Sequence, residues 1–154
     1  MPMREKLAWV SLATTLLVWG WYFIDVAAEV AGGRPEGGRI LGMFVGAVVL
    51  SIIIEVVVAI ILAVVSPKEA NSPADERERL IALKATRAAY AVLSLGVVVV
   101  ALNSPFAAAA DLDLFEGRPD ADIAFIAANG IIFALVLAEL VKSAASIVLF
   151  RRGV

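Results

Sequence analysis

Two acidic residues lie deep inside apolar runs of the chain, and they are the first candidates for chemistry. Glu55 stands within the apolar run 52–58, and Glu139 has Lys142 and Ser143 three and four residues later. An ionisable residue inside a membrane span costs about 2.5–3.5 kcal/mol unless it meets water or a partner, so such residues mark candidate functional sites. Two acids of this kind suggest a site that binds and releases a proton or another cation.

The two acids are expected at nearly the same depth in a helical bundle. Arg39 is taken as the outer end of the helix that carries Glu55, and Asp122 as the outer end of the helix that carries Glu139. At 1.5 Å per residue, both carboxylates lie ~24–26 Å from that edge.

Basic residues are expected at the same level. Arg87 lies on a helix that runs in the opposite direction, so its depth is counted back from Asn103, and it equals that of the two acids. The predicted buried charge or ion site consists of Glu55, Glu139, Arg87, Lys142, Ser51 and Ser143. Three interpretations stay open: the cluster only neutralises charge and fixes helix register, it binds a proton or cation, or its side chains reach lipid headgroups.

The residue types that are missing exclude much catalytic and metal chemistry. The chain has no cysteine and no histidine. Thiolate chemistry, disulfides and the usual haem and zinc ligands are therefore excluded. We expect no enzyme activity, no cofactor and no metal site. The formal net charge of −2 gives no reason to expect a nucleic-acid partner.

Four long apolar runs are the elements that must position these residues. Hydrophobic residues make up 62% of the chain and the mean hydropathy is +0.93, which is more apolar than a soluble domain. A membrane-spanning helix needs about 20 residues, and the runs 7–26, 40–65, 80–102 and 122–149 reach that length. The sequence predicts an all-α four-helix transmembrane bundle, in which residues 1–154 form one membrane domain. The first run is long enough to be a span and not a cleaved signal peptide.

Small residues in the second and fourth runs predict close helix packing. They recur every fourth residue, as in membrane helices that approach closely. The second-run glycines lie on the opposite side of the helix from Glu55, because nine residues at ~100° each make two and a half turns. Either the first run or a second protomer would cover them. The predicted packing positions are Gly38, Gly42, Gly46, Gly130 and Ala134.

A weak internal repeat relates the two halves of the chain. Gly46 and Glu55 of the second run recur in the fourth run, at the same spacing from each other, as Gly130 and Glu139. The four helices would then form two tandem helical hairpins, related by an axis along the membrane normal.

Positive charge predicts the orientation of the bundle. Nine basic residues lie before the first run, around the start of the third run, or after the fourth run, whereas three lie in the other two connections. Because Lys and Arg concentrate on the cytoplasmic side, both chain ends are expected in the cytoplasm. The expected location is the cytoplasmic (inner) membrane of a prokaryote. The acidic connection 111–122 is expected to be a solvated outer loop.

A charged turn opens the third run. Ser72 is the expected N-cap of its helix, with Pro73 as the first helical residue and Asp75 in the first turn.

The stretch 75–90 carries a motif of its own. It begins Asp-Glu-Arg-Glu and continues with Ile81, Lys84 and Arg87 ahead of a transmembrane helix. This stretch resembles one in uncharacterised small multi-pass membrane proteins of bacteria and archaea. The resemblance implies a helix start here and no known activity, and it marks Lys84 and Arg87 as residues to test.

The expected function is that of a non-enzymatic interaction or accessory protein. Its expected partners are the lipid bilayer and either a second copy of the chain or another membrane protein. The alternative is proton- or cation-coupled transport of a small solute, with Glu55 and Glu139 as the coupling pair and Arg87 or Lys142 as the counter-charge.

Overall fold

The structure is a computed structural model that describes residues 2–32, 36–70, 72–102 and 120–152. Helices account for 94% of these residues, and no strand occurs among them. Four helices are long and apolar enough to cross a membrane. The predicted all-α fold with four spans is therefore confirmed. Most of the acidic loop predicted between the third and fourth runs lies outside the described residues.

The first span is a continuous helical rod with a wider turn at its middle. It consists of helix Met3–Thr14, a π-helical turn Thr15–Trp19 and helix Gly20–Ala31. A π-helical turn fits an extra residue into the helix and changes which side chains face inward. Thr15 and Val18 are buried in this turn.

The other spans extend beyond the apolar runs that predicted them, because polar turns continue the helices at their ends. The second span is Gly37–Val65, the third is Glu76–Leu102 and the fourth is Asp120–Arg152. A short helix, Pro67–Ala70, lies between the second and third spans. We call the side where both chain ends lie the terminal face, and the opposite side the loop face.

Asp75, and not Ser72, caps the third span. The Asp75 carboxylate accepts the backbone N–H of Glu78 at 2.6 Å, and its carbonyl accepts the N–H of Arg79 at 3.0 Å. Ser72 donates its hydroxyl to the Glu69 carbonyl at 2.8 Å, just beyond the short helix. The prediction for Ser72 is wrong because a carboxylate next to the helix start accepts the free N–H groups and also interacts with the positive end of the helix dipole.

The third and fourth spans form a close antiparallel hairpin. A Cβ atom built on Gly96 would lie only 2.6 Å from the Cβ of Ala134. One built on Gly130 would lie 2.9 Å from a methyl group of Val100. Small residues thus let the two backbones approach, and van der Waals contact of this kind is what holds helices together in lipid.

Aromatic rings join the first span to the second and fourth. Trp19 and Phe44 meet edge to face with ring centroids 5.9 Å apart, and Tyr22 lies 5.7 Å from Trp19 and 6.2 Å from Phe44. Phe23 meets Phe133 of the fourth span at 5.2 Å. Each such pair contributes about 0.5–1.5 kcal/mol beyond the burial of its area.

Polar contacts connect the spans on the terminal face. Arg4 Nε lies 3.0 Å from Glu78 Oε2, which joins the first span to the third. Arg77 Nη2 donates to the Phe150 carbonyl at 3.3 Å, which joins the third span to the fourth. The more extensive packing contacts run from the third span to the fourth, then to the first, and then to the second.

Polar contacts near its two ends also hold the second span. On the loop face, Arg39 Nη1 lies 2.9 Å from Glu29 Oε1, and the Glu36 N–H donates to Glu29 Oε2 at 3.1 Å. On the terminal face, the Met3 N–H donates at 3.0 Å to Glu69 Oε2 of the short helix that follows this span. The buried residues of this span lie in its first half. In its most apolar 18-residue stretch none is buried, against 22% of the residues in the corresponding stretches of the first and fourth spans.

Candidate functional site

Glu55 opens into a groove between the first and second spans. The groove has a volume of about 340 Å³, and its apolar walls include Leu7, Val10 and Ala59, with Ser11 as its other polar side chain. Glu55 is exposed, and it has no hydrogen bond or ion pair within the described residues. A carboxylate therefore lies in apolar surroundings without a partner from the described part of its own chain.

Ser51 lies one turn before Glu55 and is also unsatisfied. Its Oγ is buried and has no hydrogen-bond partner in the part of the chain that the structure describes. A serine inside a helix commonly bonds to the carbonyl one turn earlier, and a buried hydroxyl without a partner costs about 1–3 kcal/mol. Two polar groups one turn apart on the second span thus lack partners.

Glu139 pairs with Lys142 of its own helix. The Lys142 Nζ lies 3.1 and 3.2 Å from the two carboxylate oxygens. The two side chains are 43% and 47% exposed, so the pair lies on the outer surface of the fourth span. An i,i+3 pair can neutralise both charges without help from another helix. Ser143 is buried, at 4% exposure.

The predicted four-residue charge cluster is wrong. Arg87 is exposed, and within the described ranges neither Arg87 nor Glu55 forms an ion pair. The helical period explains this position: Ala85 is buried, and Arg87, two residues later, is rotated by ~200° to the outer side. Of the four charged residues, only Glu139 and Lys142 are brought together.

The glycines of the second span are not covered by the first span. A Cβ atom at Gly38, Gly42 or Gly46 would meet no described atom within 4 Å. Gly130 and Ala134, by contrast, lie in the hairpin of the third and fourth spans. The predicted packing of the second-span glycines on the first span is therefore wrong within the described residues. The glycines of the proposed repeat also have different surroundings, so the tandem relation of two hairpins stays a prediction.

A buried acid on the terminal face was missed by the sequence analysis. Glu5 is 7% exposed, and its Oε1 lies 3.6 Å from Arg151 Nε of the fourth span. The Arg151 guanidinium also lies over the Trp9 ring, 5.3 Å from the centroid, which is a cation–π contact. The basic residues near both chain ends were used only to predict the orientation of the bundle. No pattern in the sequence relates Glu5 to Arg151.

A second polar contact lies between the first and fourth spans, and it too was missed. Tyr22 donates its hydroxyl to Asn129 Oδ1 at 2.8 Å, and Asn129 Nδ2 donates to the Phe125 carbonyl at 3.0 Å. Asn129 also lines an open cavity of about 650 Å³ between the two spans, which Phe23 and Val26 also line. An amide inside an apolar run was the available signal, because such groups bond across helices in membranes.

We expect Tyr22→Phe to destabilise the protein by about 0.6–1.7 kcal/mol, which are the average and the maximum measured for interhelical hydrogen bonds in a membrane protein. The phenyl ring keeps the aromatic packing, and only the bond to Asn129 is lost. The measurement is thermal unfolding in detergent, followed by circular dichroism. Tyr90→Phe is the matched control, because Tyr90 is 71% exposed and a hydroxyl there has no described partner. Equal losses in the two variants would contradict a role for this hydrogen bond.

No group of three or more acidic side chains that could hold a metal ion occurs within the described residues. The remaining features are a partnerless carboxylate in a groove, an acid and base paired on the fourth span, and an exposed arginine on the third. Comparison of the chain with protein-family models, with curated proteins and with solved structures finds no match. The resemblance of residues 75–90 to uncharacterised prokaryotic membrane proteins therefore stays a prediction.

Proposed function

We propose that this protein is a non-enzymatic membrane subunit that assembles with another polypeptide chain through its second span. The observation that supports this function most directly is the exposed Glu55, which has no partner among the described residues. The exposed Val and Ile side chains of the second span do not require a protein partner, because lipid tails are as apolar as these side chains. A carboxylate at this depth does require a partner, because lipid tails supply no hydrogen-bond donor to it.

The packing of the second span supports the same function. Its most apolar stretch buries no residue in its own protomer, and its glycine face is open. A neighbouring helix can approach closely at such positions. Association would also provide the exposed Glu55 with the polar partner that it lacks among the described residues.

We further propose that the protein lies in the cytoplasmic membrane of a prokaryote with both chain ends in the cytoplasm. The excess of basic residues toward the terminal face supports this orientation, because seven lie there even without Lys84 and Arg87 of the third span, against three in the other two connections. Glu55 then lies nearer the cytoplasmic than the outer side.

The transport alternative has less support from the geometry. It requires two acids that share a path, but Glu139 is paired with Lys142 on the surface of the fourth span. Glu55 opens into a groove that residues of the first and second spans line. Association therefore accounts for the unpaired acid better than coupled transport does.

Site-specific photocrosslinking in native membranes tests the proposed function. A photoreactive amino acid at Val56, beside Glu55 in the groove, is expected to give protein adducts. The same amino acid at Leu135, which is exposed on the fourth span, is the matched control and is expected to react mainly with lipid. Adducts to lipid alone at Val56 would rule out association through this groove.

A further inference from the structure

We infer that the partner at Glu55 is a second copy of this chain, whose Arg87 enters the groove and pairs with the carboxylate. This inference rests on the proposed function, because it names the partner that the second span binds. Its basis is a complementary pair of charges that each protomer exposes and leaves unpaired.

The third span supplies the matching positive charge. Arg87 and Lys84 are exposed on it, and neither has an ion pair or hydrogen bond with the described residues. A lone arginine within a membrane helix has the same need for a partner as a lone acid. Each protomer therefore carries one exposed acid on the second span and an exposed base on the third.

The acid and the base lie at the same height. Glu55 is ten residues before the end of the second span at Val65 (65 − 55). Arg87 is eleven residues after the start of the third span at Glu76 (87 − 76). At 1.5 Å per residue, both lie ~15–17 Å from the terminal face. Copies with the same orientation in a membrane thus present these charges to each other without a vertical shift.

The order of helix contacts keeps the two charges apart within one protomer. The third span packs on the fourth, the fourth on the first, and the first on the second. The second and third spans therefore form different flanks of the bundle. An interface between the second span of one copy and the third span of the next is heterologous, and its repetition produces a ring if the rotation closes.

The groove has the shape and chemistry for an arginine. Its volume of about 340 Å³ leaves room for a long side chain between apolar walls. Glu55 can accept two parallel N–H bonds from one guanidinium, and the Ser11 hydroxyl offers a further acceptor. Lysine cannot make this bidentate contact, so Arg87→Lys is expected to bind less well than the parent residue.

Exchange of the charges at positions 55 and 87 tests the inference. Two copies that carry different affinity tags are expressed together, and the fraction of one tag that co-purifies with the other is measured. Two copies with Glu55→Arg would place arginine against arginine, and two with Arg87→Glu would place glutamate against glutamate. We expect either variant alone to reduce co-purification of two tags from mild detergent at least ~tenfold. A mixture of the two variants pairs unlike charges at every contact, so it is expected to restore co-purification, as is the double variant Glu55→Arg/Arg87→Glu.

Arg79→Glu is the control, because it reverses the same charge on the same span, nearer the terminal face, and is expected to leave co-purification unchanged. If two tagged copies of either single variant co-purify as fully as the parent copies do, the inference is overturned. Loss in the single variants without restoration in the mixture and in the double variant would overturn it as well, because misfolding and not charge would then explain the loss.

Other partners give different results. If parent copies do not co-purify while Val56 crosslinks to another protein, the second copy is wrong and the proposed function stands. If Arg87→Glu abolishes recovery of an anionic lipid but not of the second tag, Arg87 binds lipid headgroups and the inference is overturned. Crosslinks to lipid alone at Val56 would end both proposals together.

Discussion

Replacement of Gly96 by leucine is expected to separate the third and fourth spans and to cause the largest loss of stability among single substitutions in the hairpin. Even an alanine Cβ at this position would lie 2.6 Å from the Ala134 Cβ and 3.4 Å from its Cα. These atoms belong to the helix or are attached directly to it, so they cannot rotate away. Gly96→Ala is expected to cost about 1–3 kcal/mol, and Gly96→Leu more, because overpacking forces the backbones apart.

Thermal unfolding in detergent measures this effect. Gly20→Ala of the first span is the matched control, because a Cβ there meets no described atom of another helix within 4 Å and the change is expected to be within about 0.5 kcal/mol. The double variant Gly96→Ala/Ala134→Gly moves the methyl group to the other helix and is expected to recover part of the loss. If Gly96→Leu unfolds at the same temperature as the parent protein, the close approach of these helices is wrong.

Arg151→Gln is expected to lower stability by about 1–3 kcal/mol, because it removes the nearby positive charge from a carboxylate that has little access to water. The Glu5 side chain is 10% exposed, and Arg151 lies 3.6 Å from it. The substitution also removes the cation–π contact with Trp9. The loss is expected to separate the fourth span from the first on the terminal face.

Arg152→Gln is the matched control for this prediction. Arg152 is the next residue and is exposed, so the same change of charge is expected to leave the unfolding temperature nearly unchanged. Glu5→Gln in the Arg151→Gln background is expected to recover part of the loss, since a neutral amide is less costly to bury than an unpaired charge. Equal effects of Arg151→Gln and Arg152→Gln would mean that only net charge matters.

The positions of residues along the spans could be read from the sequence. Hydropathy and length were enough to identify four helices, because each span must satisfy its own backbone hydrogen bonds within a layer of known thickness. Counting along the helices also placed Glu55 and Arg87 at one height, which the helix ends at Val65 and Glu76 support. The small residues Gly130 and Ala134 likewise identified a close helix contact, although their partners on the third span did not emerge.

The direction in which each side chain points could not be read from the sequence. Glu55 and Arg87 were predicted to face a common interior, whereas both are exposed in the structure. In a soluble helix, the apolar face identifies the core, but in lipid the inner and outer faces are equally apolar. The periodicity of apolar residues therefore could not show whether Glu55 lies in a surface groove or in a buried cluster. It also could not show which helix, if any, covers the glycine face of the second span.

The amino-acid sequence alone therefore determined the number of spans, their limits to within a few residues, and the common level of Glu55 and Arg87. It did so because those properties depend on one helix and the surrounding bilayer. The pairing of Glu5 with Arg151, the bond from Tyr22 to Asn129, and the absence of a described partner for Glu55 emerged only from the arrangement of the helices. Those contacts depend on the rotation of each helix about its axis, and packing between helices sets that rotation where lipid gives no preference.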